Sequence, residues 1–245
     1  MGHIITDLKE AFRRGNVYIQ LIFINVGVFV VTTLIGILLQ LFNRSAAGIF
    51  ELLALPASFT RFVWQPWSIF TYMFMHAGFL HILFNMIALY SVGPVLERLI
   101  GHWRFLGLYM ISGLGGALGM MVWAVVAPGG QGWQTAAYGA SGALFGLFAA
   151  LLVVYRRIGA DIRSMLIWMA VNFALPFVVG GVAWQAHVGG FVVGGLLTWL
   201  LIGGIRPWRG KSLAWRMQVY GWSVTVLVIA LIVAFNFANP YGWMW

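Results

Sequence analysis

Residues 17–41 read VYIQLIFINVGVFVVTTLIGILLQL, a run of 25 residues that contains no Asp, Glu, Lys or Arg. A helix needs about 20 apolar residues to cross the hydrocarbon core of a bilayer, so this run predicts a membrane-spanning helix. Lys9, Arg13 and Arg14 precede it. Because the run is a full span long, we expect a retained anchor and not the short apolar core of a cleaved signal peptide.

The composition extends this prediction to the whole chain. Hydrophobic residues make up 62% of the 245 residues and charged residues 8%, whereas about a quarter of an ordinary soluble domain is charged. A backbone in lipid must satisfy its own hydrogen bonds, which leaves helices or a closed barrel. The apolar runs are continuous and lack the alternation of barrel strands. The chain is therefore predicted to be an all-α, polytopic transmembrane helical bundle.

Apolar runs predict seven spans in this bundle. They are Val17–Leu41, Leu80–Leu99, Trp103–Ala127, Ala136–Tyr155, Ser164–Val179, Val182–Ile202 and Val219–Phe235. We expect three segments along the chain. Residues 1–16 form an amphipathic segment on the membrane surface, residues 17–203 form a six-helix core, and residues 204–245 form a linker, the seventh helix and a short external tail.

The basic residues predict the orientation of the bundle. With seven spans, all but Arg44 and Arg61 of the 14 Lys and Arg fall on one side, which the positive-inside rule assigns to the cytoplasm. The N-terminus is then cytoplasmic. The net charge of +9 is spread over short loops, so we expect no nucleic-acid partner. Short loops and the lack of a targeting sequence favour a bacterial plasma membrane.

Four polar side chains are predicted to lie at one depth. His81 and Asn85 fall in the first turns of the second span, Ser141 in those of the fourth, and His187 near the start of the sixth. These three spans run the same way, so the four residues share the outer half of the bilayer. Polar residues within spans are costly and are candidates for function. Taken singly, a serine bonded to its own helix or a histidine that packs between helices is the commoner reading.

Exclusion narrows the chemistry that this layer could perform. The two aspartates, Asp7 and Asp161, lie outside the spans, and no H-E-x-x-H zinc motif occurs. Both lysines, Lys9 and Lys211, also lie outside the spans, and the chain has no cysteine. A hydroxyl nucleophile with an imidazole base remains. No carboxylate is placed to orient His187, so a dyad is expected, without metal or cofactor.

The sequence around Ser141 suits a nucleophile. Gly139, Ala140 and Gly142 leave room for a substrate carbonyl at the start of a helix, where free N–H groups favour an oxyanion. Phe145 follows at i+4 and so shares the face of Ser141.

A second set of small residues follows the candidate base. Gly190 and Gly194 lie three and seven residues after His187, on its face of the sixth span. Such a stripe lets the sixth span pack closely on the fourth and brings imidazole to hydroxyl, although plain helix packing would also use it.

Together these residues resemble the rhomboid intramembrane serine proteases. The motifs that carry the resemblance are G-x-S-G at Gly139–Gly142, A-H-x-x-G-x-x-x-G at Ala186–Gly194, H-x-x-x-N at His81 and Asn85, G-x-x-x-E-x-x-x-G at Gly93–Gly101, and F-x-H at Phe74 and His76. The chain departs from the family pattern at Ser68, where an arginine is usual, and at Phe145, where a tyrosine is often found. The seventh span resembles the extra C-terminal helix of one family variant.

The resemblance implies a function for each part of the site. Ser141 is the expected nucleophile and His187 the base, while His81 and Asn85 stabilise the oxyanion. The substrates are expected to be transmembrane proteins, cut near the outer face among membrane lipids. The main alternative is an inactive rhomboid-like protein that binds membrane clients, although such relatives typically lose the Ser or the His. A transporter is a weaker alternative, because the ionisable residues do not continue across the bilayer.

Overall fold

The structure is a computed structural model that describes residues 15–42, 44–45, 47–56, 65–163, 166–167, 169–170 and 183–238. Within these residues six helices are long and apolar enough to cross a membrane. The chain is therefore a polytopic helical bundle, as predicted. The predicted fifth span, Ser164–Val179, falls mostly outside the described residues, as does the predicted surface segment 1–16.

The helices and strands follow in chain order. They are α1 (Val17–Leu41), α2 (Ala47–Leu53), β1 (Leu55–Pro56), α3 (Ser68–Thr71), α4 (Phe79–Ile100), α5 (His102–Val126), β2 (Ala136–Ala137), α6 (Ser141–Ile158), α7 (Trp184–Gly203), α8 (Leu213–Arg216) and α9 (Trp222–Phe237). Short 3₁₀ helices cover Tyr72–Phe74, Pro128–Gln134 and Arg206–Trp208. A π-helical turn, Met217–Gly221, joins α8 to α9, so that residues Leu213–Phe237 form one C-terminal helix.

Two predicted span boundaries were wrong. Helix α6 begins at Ser141 and not at Ala136, because Ala136–Ala137 pair antiparallel with Leu55–Pro56 as β1 and β2. The C-terminal helix begins at Leu213 and not at Val219. Arg216 interrupts the apolar run in its first turns, and hydropathy alone therefore placed the start too late.

Helices α5, α6 and α7 form the centre of the bundle, where glycines bring their backbones together. A Cβ atom on Gly190 would lie 1.9 Å from the carbonyl oxygen of Gly142, and one on Gly194 would lie 2.5 Å from the Cα atom of Gly146. On the other side of α7, a Cβ atom on Gly189 would lie 2.1 Å from the carbonyl oxygen of Gly115. The predicted glycine stripe between α7 and α6 is confirmed, and a second close approach ties α7 to α5.

The outer helices attach through narrow stripes. The C-terminal helix buries Val224, Val228 and Ile232, which are spaced four residues apart and share one face. Its remaining apolar side chains are largely exposed on the outside of the bundle, as are most of those on α1. Such surfaces suit contact with lipid tails, so these two helices belong to the periphery of the membrane-embedded protein.

The G-x-x-x-E-x-x-x-G motif organises the end of the bundle where α1 starts. Glu97 accepts hydrogen bonds from the backbone N–H groups of Val17 at 2.6 Å and Tyr18 at 2.9 Å. These groups begin α1 and have no partner within their own helix. Gly93 leaves space for Tyr18, whose Cβ atom would lie 2.6 Å from a Cβ at that position. Gly101 takes φ +83° in the turn into α5. Within the motif, Glu97 therefore caps the start of α1, and Gly101 forms the turn between α4 and α5.

We expect Glu97→Ala to lower the free energy of unfolding by about 2–4 kcal/mol. The variant leaves one buried and one partly buried N–H group without an acceptor, and it removes the partner of His102, which pairs with the same carboxylate. Thermal unfolding of the purified protein in detergent measures the change. The exposed carboxylate Asp161, which accepts a local bond from the Arg163 N–H, provides the control as Asp161→Ala. Equal melting temperatures for the two variants would contradict the capping role.

The segment before α4 is held to the earlier connection by two side chains. Trp67 Nε1 donates to the carbonyl of Leu52 at 3.0 Å, and Thr71 Oγ1 donates to that of Leu53 at 2.7 Å. Ser68, which replaces the usual arginine, is fully buried beside them. Trp67 and Thr71 therefore tie α3 to α2 without an arginine.

Candidate active site

Ser141 and His187 meet at one end of the bundle. Ser141 is the first residue of α6 and His187 the fourth residue of α7, and the Nε2 atom of His187 lies 2.9 Å from the Oγ atom of Ser141. That distance is a normal hydrogen bond. The close packing of Gly190 on Gly142 sets the separation of the two helices just below this pair. The sequence therefore placed both residues correctly in space.

The imidazole of His187 is held by packing. The ring of Phe145 stacks on it, with ring centroids 4.2 Å apart and an angle of 10° between the planes. The side chain is 4% exposed, and its Nδ1 atom has no hydrogen-bond partner among the described residues. A stacked ring restricts rotation of the imidazole, which a carboxylate does in a triad. Within the described part of the chain, the arrangement is a Ser–His pair.

A sharp turn comes immediately before Ser141. Gly139 takes φ +120°, and its N–H donates to the carbonyl of Tyr72 at 2.8 Å. A Cβ atom on Gly139 would lie 2.7 Å from His81 Nε2, so a side chain there would displace the histidine. Ala140 is fully buried and makes no side-chain cap for α6. The first N–H groups of α6 therefore stay open to a ligand.

His81 lies beside the turn, whereas Asn85 does not line the site. The His81 ring centroid lies 5.0 Å from that of His76 and 6.0 Å from that of Tyr138. The side-chain amide of Asn85 donates to the carbonyl of His81 at 2.9 Å, within its own helix. His81 is thus within reach of a group bound at Ser141, and the predicted role of Asn85 stays a prediction.

His76 supports His81 from the short segment that precedes α4. Its Nδ1 atom lies 3.3 Å from the carbonyl oxygen of Phe74. Burial, together with the neighbouring His81, lowers the pKa of His76 to about 4, so this ring is neutral near pH 7. A neutral ring at this place adds no positive charge against His81.

A cavity of about 200 Å³ opens at Ser141. Its lining consists of Tyr72, Ala77, His81, Ala136, Ala137, Tyr138, Gly139, Ser141, Ala183 and Ala186. Tyr72 was missed by the sequence analysis, although its hydroxyl donates to the carbonyl of Gly113 at 2.6 Å and would lie 3.0 Å from a Cβ on Gly142. It lies in an aromatic stretch that offers no motif to single it out.

The three helices that carry the pair and His81 all begin at this end of the bundle. His81 is the third residue of α4, Ser141 the first of α6 and His187 the fourth of α7. The structure thus brings these three residues together, and their predicted place in the outer half of the bilayer stays a prediction. No group of three His, Asp or Glu side chains that could hold a metal ion occurs in the part of the chain that the structure describes.

The fold and the site define a multi-pass integral membrane protein with a hydrogen-bonded Ser–His pair at one end of its bundle. The family model described as the Rhomboid domain matches residues 63–204, more than half of the chain. The chain belongs to the rhomboid family.

Curated relatives agree with this assignment. The chain is 34% identical over 153 residues to RHOMBOID-like protein 5 of Arabidopsis thaliana. This alignment covers 60% of this chain and 47% of that protein. It is 32% identical over 177 residues to rhomboid protease GluP of Bacillus subtilis, and this alignment covers 69% of this chain and 31% of GluP. It is 39% identical over 130 residues to rhomboid-type serine protease 2 of Emericella nidulans, and this alignment covers 50% of this chain and 24% of that protein.

These relatives limit two of the expectations. The chain spans about half the length, or less, of these three curated relatives. They come from a plant, a bacterium and a fungus, so the expected bacterial membrane is not supported. Two of them are named as proteases, which places serine proteolysis within the family.

Proposed function

We propose that the protein is an intramembrane serine endopeptidase that cuts transmembrane helices of other membrane proteins near the outer face of the bilayer. The observation that carries the proposal is the 2.9 Å separation of Ser141 Oγ and His187 Nε2 on two helices packed through glycines. A hydroxyl becomes a useful nucleophile when a base lies within hydrogen-bond reach. The rhomboid family and its members named as proteases support the same activity.

In the proposed reaction, Ser141 Oγ attacks the scissile carbonyl carbon while its proton passes to His187 Nε2. This step requires the neutral imidazole with its proton on Nδ1. The carbonyl oxygen becomes an oxyanion that accepts hydrogen bonds from the Ser141 N–H and from His81 Nε2. His187 then gives its proton to the leaving amine as the C–N bond breaks. An acyl-enzyme remains on Ser141.

Water completes the cycle. A water molecule gives a proton to His187 and attacks the acyl carbon, and Ser141 Oγ leaves with the proton that His187 returns. The cavity of about 200 Å³ beside Ser141 gives space for this water and for a short unwound piece of substrate. A helix hides its carbonyl groups in its own hydrogen bonds, so small or helix-breaking residues near the cut favour cleavage.

The orientation and segment boundaries belong to the same proposal. The basic residues support a cytoplasmic N-terminus, which puts the Ser141 end of the bundle at the outer face. Residues 17–203 are proposed as the catalytic core. The Rhomboid match covers residues 63–204, which supports the C-terminal limit of this core, whereas α1 lies before the match.

Incubation with a fluorophosphonate probe and with a model transmembrane substrate tests the proposed function. We expect the purified full chain to bind the probe covalently, with one added mass located on Ser141 by peptide mass spectrometry, and to cleave the substrate in detergent. A folded protein that neither reacts with the probe nor cleaves would contradict the protease proposal and favour a rhomboid-like protein that only binds membrane clients.

Acidification is expected to slow cleavage. Protonation of His187 removes the lone pair that accepts the Ser141 proton, so the rate should fall about tenfold per pH unit below the apparent pKa of the base. The initial rate of substrate cleavage, measured from pH 8 downwards in one detergent, gives the profile, and circular dichroism at each pH monitors the fold. A rate that rises towards acidic pH while the fold persists is the opposite of this expectation.

A further inference from the structure

A second and larger cavity lies away from the Ser–His pair, between α5 and the C-terminal helix. It is a groove of about 710 Å³ that runs from the start of α5 at His102 to its middle at Leu114. We call it the α5 groove. Its volume falls within the range of about 300–1,000 Å³ found for sites that hold small molecules. The groove starts at His102, just after the end of α4, whereas the Ser–His pair lies where α4 begins. The Leu114 end of the groove therefore points towards the half of the bundle that holds the pair.

The inner part of the α5 groove is apolar. Met110, Ile111 and Leu114 line it from α5, and Met217 lines it from the C-terminal helix. Gly221 leaves the space between the two helices open. A Cβ atom there would lie 3.5 Å from Met217 Sδ and 3.6 Å from Ile111 Cδ1, which is ordinary contact, so a longer side chain would extend into the groove without a clash at its base.

One end of the α5 groove carries an unpaired cationic donor. Arg104 Nη1 donates to the carbonyl of Ile100 at 2.6 Å, whereas its Nε atom is buried and has no hydrogen-bond partner among the described residues. None of the described residues that line this groove is a carboxylate, although Glu97 pairs with the lining residue His102. Gln218 supplies a neutral amide to the lining. A buried donor without a partner is costly, and an acidic group bound there would satisfy it.

The position of this end matches a membrane interface. Trp103, the residue before Arg104, is 81% exposed and lines the groove at this end. Tryptophans gather where tails give way to headgroups. The chain between α7 and the C-terminal helix adds Arg206, Arg209 and Lys211 to the same end of the bundle, and the first turn of that helix adds Arg216. Such clusters attract anionic lipids.

We propose that the α5 groove binds one anionic phospholipid of the surrounding bilayer. Its phosphate lies at the Arg104 guanidinium, and one acyl chain follows the apolar wall past Gly221. The order of polar and apolar surface fits this amphiphile from headgroup to tail. The bound lipid fills the gap between α5 and the first turns of the C-terminal helix. On their other side these turns are held to the end of α7 and the turn after it, through Arg216 Nη1 on the Ile202 carbonyl and the Ile205 N–H on the Tyr220 hydroxyl. The proposal is independent of the proposed proteolysis.

Native mass spectrometry of the delipidated full chain in detergent tests the proposal. The added probes are dioleoylphosphatidylglycerol, dioleoylphosphatidylcholine and inorganic phosphate. We expect the anionic lipid to bind at least about fivefold more tightly than the zwitterionic one, the effect of about one favourable charge contact. Inorganic phosphate should not displace it at equal concentration, because it lacks the acyl chain.

Four variants separate the headgroup from the tail. Arg104→Gln should weaken binding of the anionic lipid about fivefold or more, and Arg104→Lys should restore most of it. Gly221→Leu fills the groove and should weaken binding of both lipids. Arg98→Gln removes an exposed arginine at the same end of the bundle and should bind like the unaltered protein. Circular dichroism without lipid checks that each variant folds.

The proposal would be overturned by equal affinity for the two lipids, by an equal loss of binding in Arg104→Gln and Arg98→Gln, or by undiminished binding in folded Gly221→Leu. Displacement by inorganic phosphate alone would also overturn it, because the site would then be a simple anion site. If Arg104→Gln does not fold, lipid binding by Arg104→Lys and Gly221→Leu decides whether the proposal holds. A dimer that Gly221→Leu disrupts, with no lipid bound to the unaltered protein, would assign the groove to a second copy instead.

Discussion

Ser141→Ala should lower the rate of substrate cleavage by at least about a thousandfold and abolish fluorophosphonate labelling. The variant removes the Oγ atom that lies 2.9 Å from His187 Nε2. Among the described residues that line the cavity, the remaining hydroxyls are the phenols of Tyr72 and Tyr138. Loss of a catalytic serine removes nearly all of the chemistry, and what remains comes from binding and oxyanion stabilisation. Cleavage is measured by following product formation from a model transmembrane substrate in detergent.

Ser112→Ala is the matched control for this experiment. Ser112 is fully buried on α5, and its Oγ atom has no hydrogen-bond partner among the described residues. Ser112→Ala also removes a serine Oγ atom from the bundle, yet its activity and labelling should stay close to those of the unaltered protein. If folded Ser141→Ala still cleaves as Ser112→Ala does, Ser141 is not the nucleophile.

Gly190→Ala is expected to destabilise the bundle by about 3 kcal/mol or more and to lose activity with the fold. The added Cβ atom would lie 1.9 Å from the carbonyl oxygen of Gly142, and backbone atoms cannot move aside as a flexible side chain does. Helices α6 and α7 must separate, which also draws His187 away from Ser141. The melting temperature of the purified protein in detergent reports the stability, and labelling of any folded fraction reports the geometry.

Gly203→Ala makes the same substitution at the end of the same helix. A Cβ atom there meets nothing within 4 Å, and alanine is the better helix former by about 1 kcal/mol. Its melting temperature should match that of the unaltered protein or exceed it. A Gly190→Ala variant as stable as Gly203→Ala would show that α6 and α7 do not pack through these glycines.

Local patterns in the sequence predicted those parts of the fold that depend on them. Helix α1 runs from Val17 to Leu41, the limits of the first apolar run, because a span in lipid is set by hydropathy and length. Ser141 and His187 were paired because both come early in spans that run the same way. The i+4 spacing also placed Phe145 on the face that meets the base, where it stacks.

Contacts between distant segments were not predictable in this way. The start of α6 is set by a bond from Gly139 N–H to the Tyr72 carbonyl and by the pairing of β2 with β1, neither of which local hydropathy shows. The sequence placed Asn85 with His81 on one face, yet its amide bonds to its own helix instead of lining the site. Glu97 was recognised as part of a structural motif, but not as the cap of a helix that begins at Val17.

That cap has a consequence for the biosynthesis of the protein. Val17 and Glu97 are separated by 80 residues, so α1 is made and inserted well before its cap exists. At about 5–20 residues per second, the interval between the two is about 4–16 s. During this time the first N–H groups of α1 depend on water at the membrane surface. The starting end of α1 is therefore completed only after α4 has been synthesised.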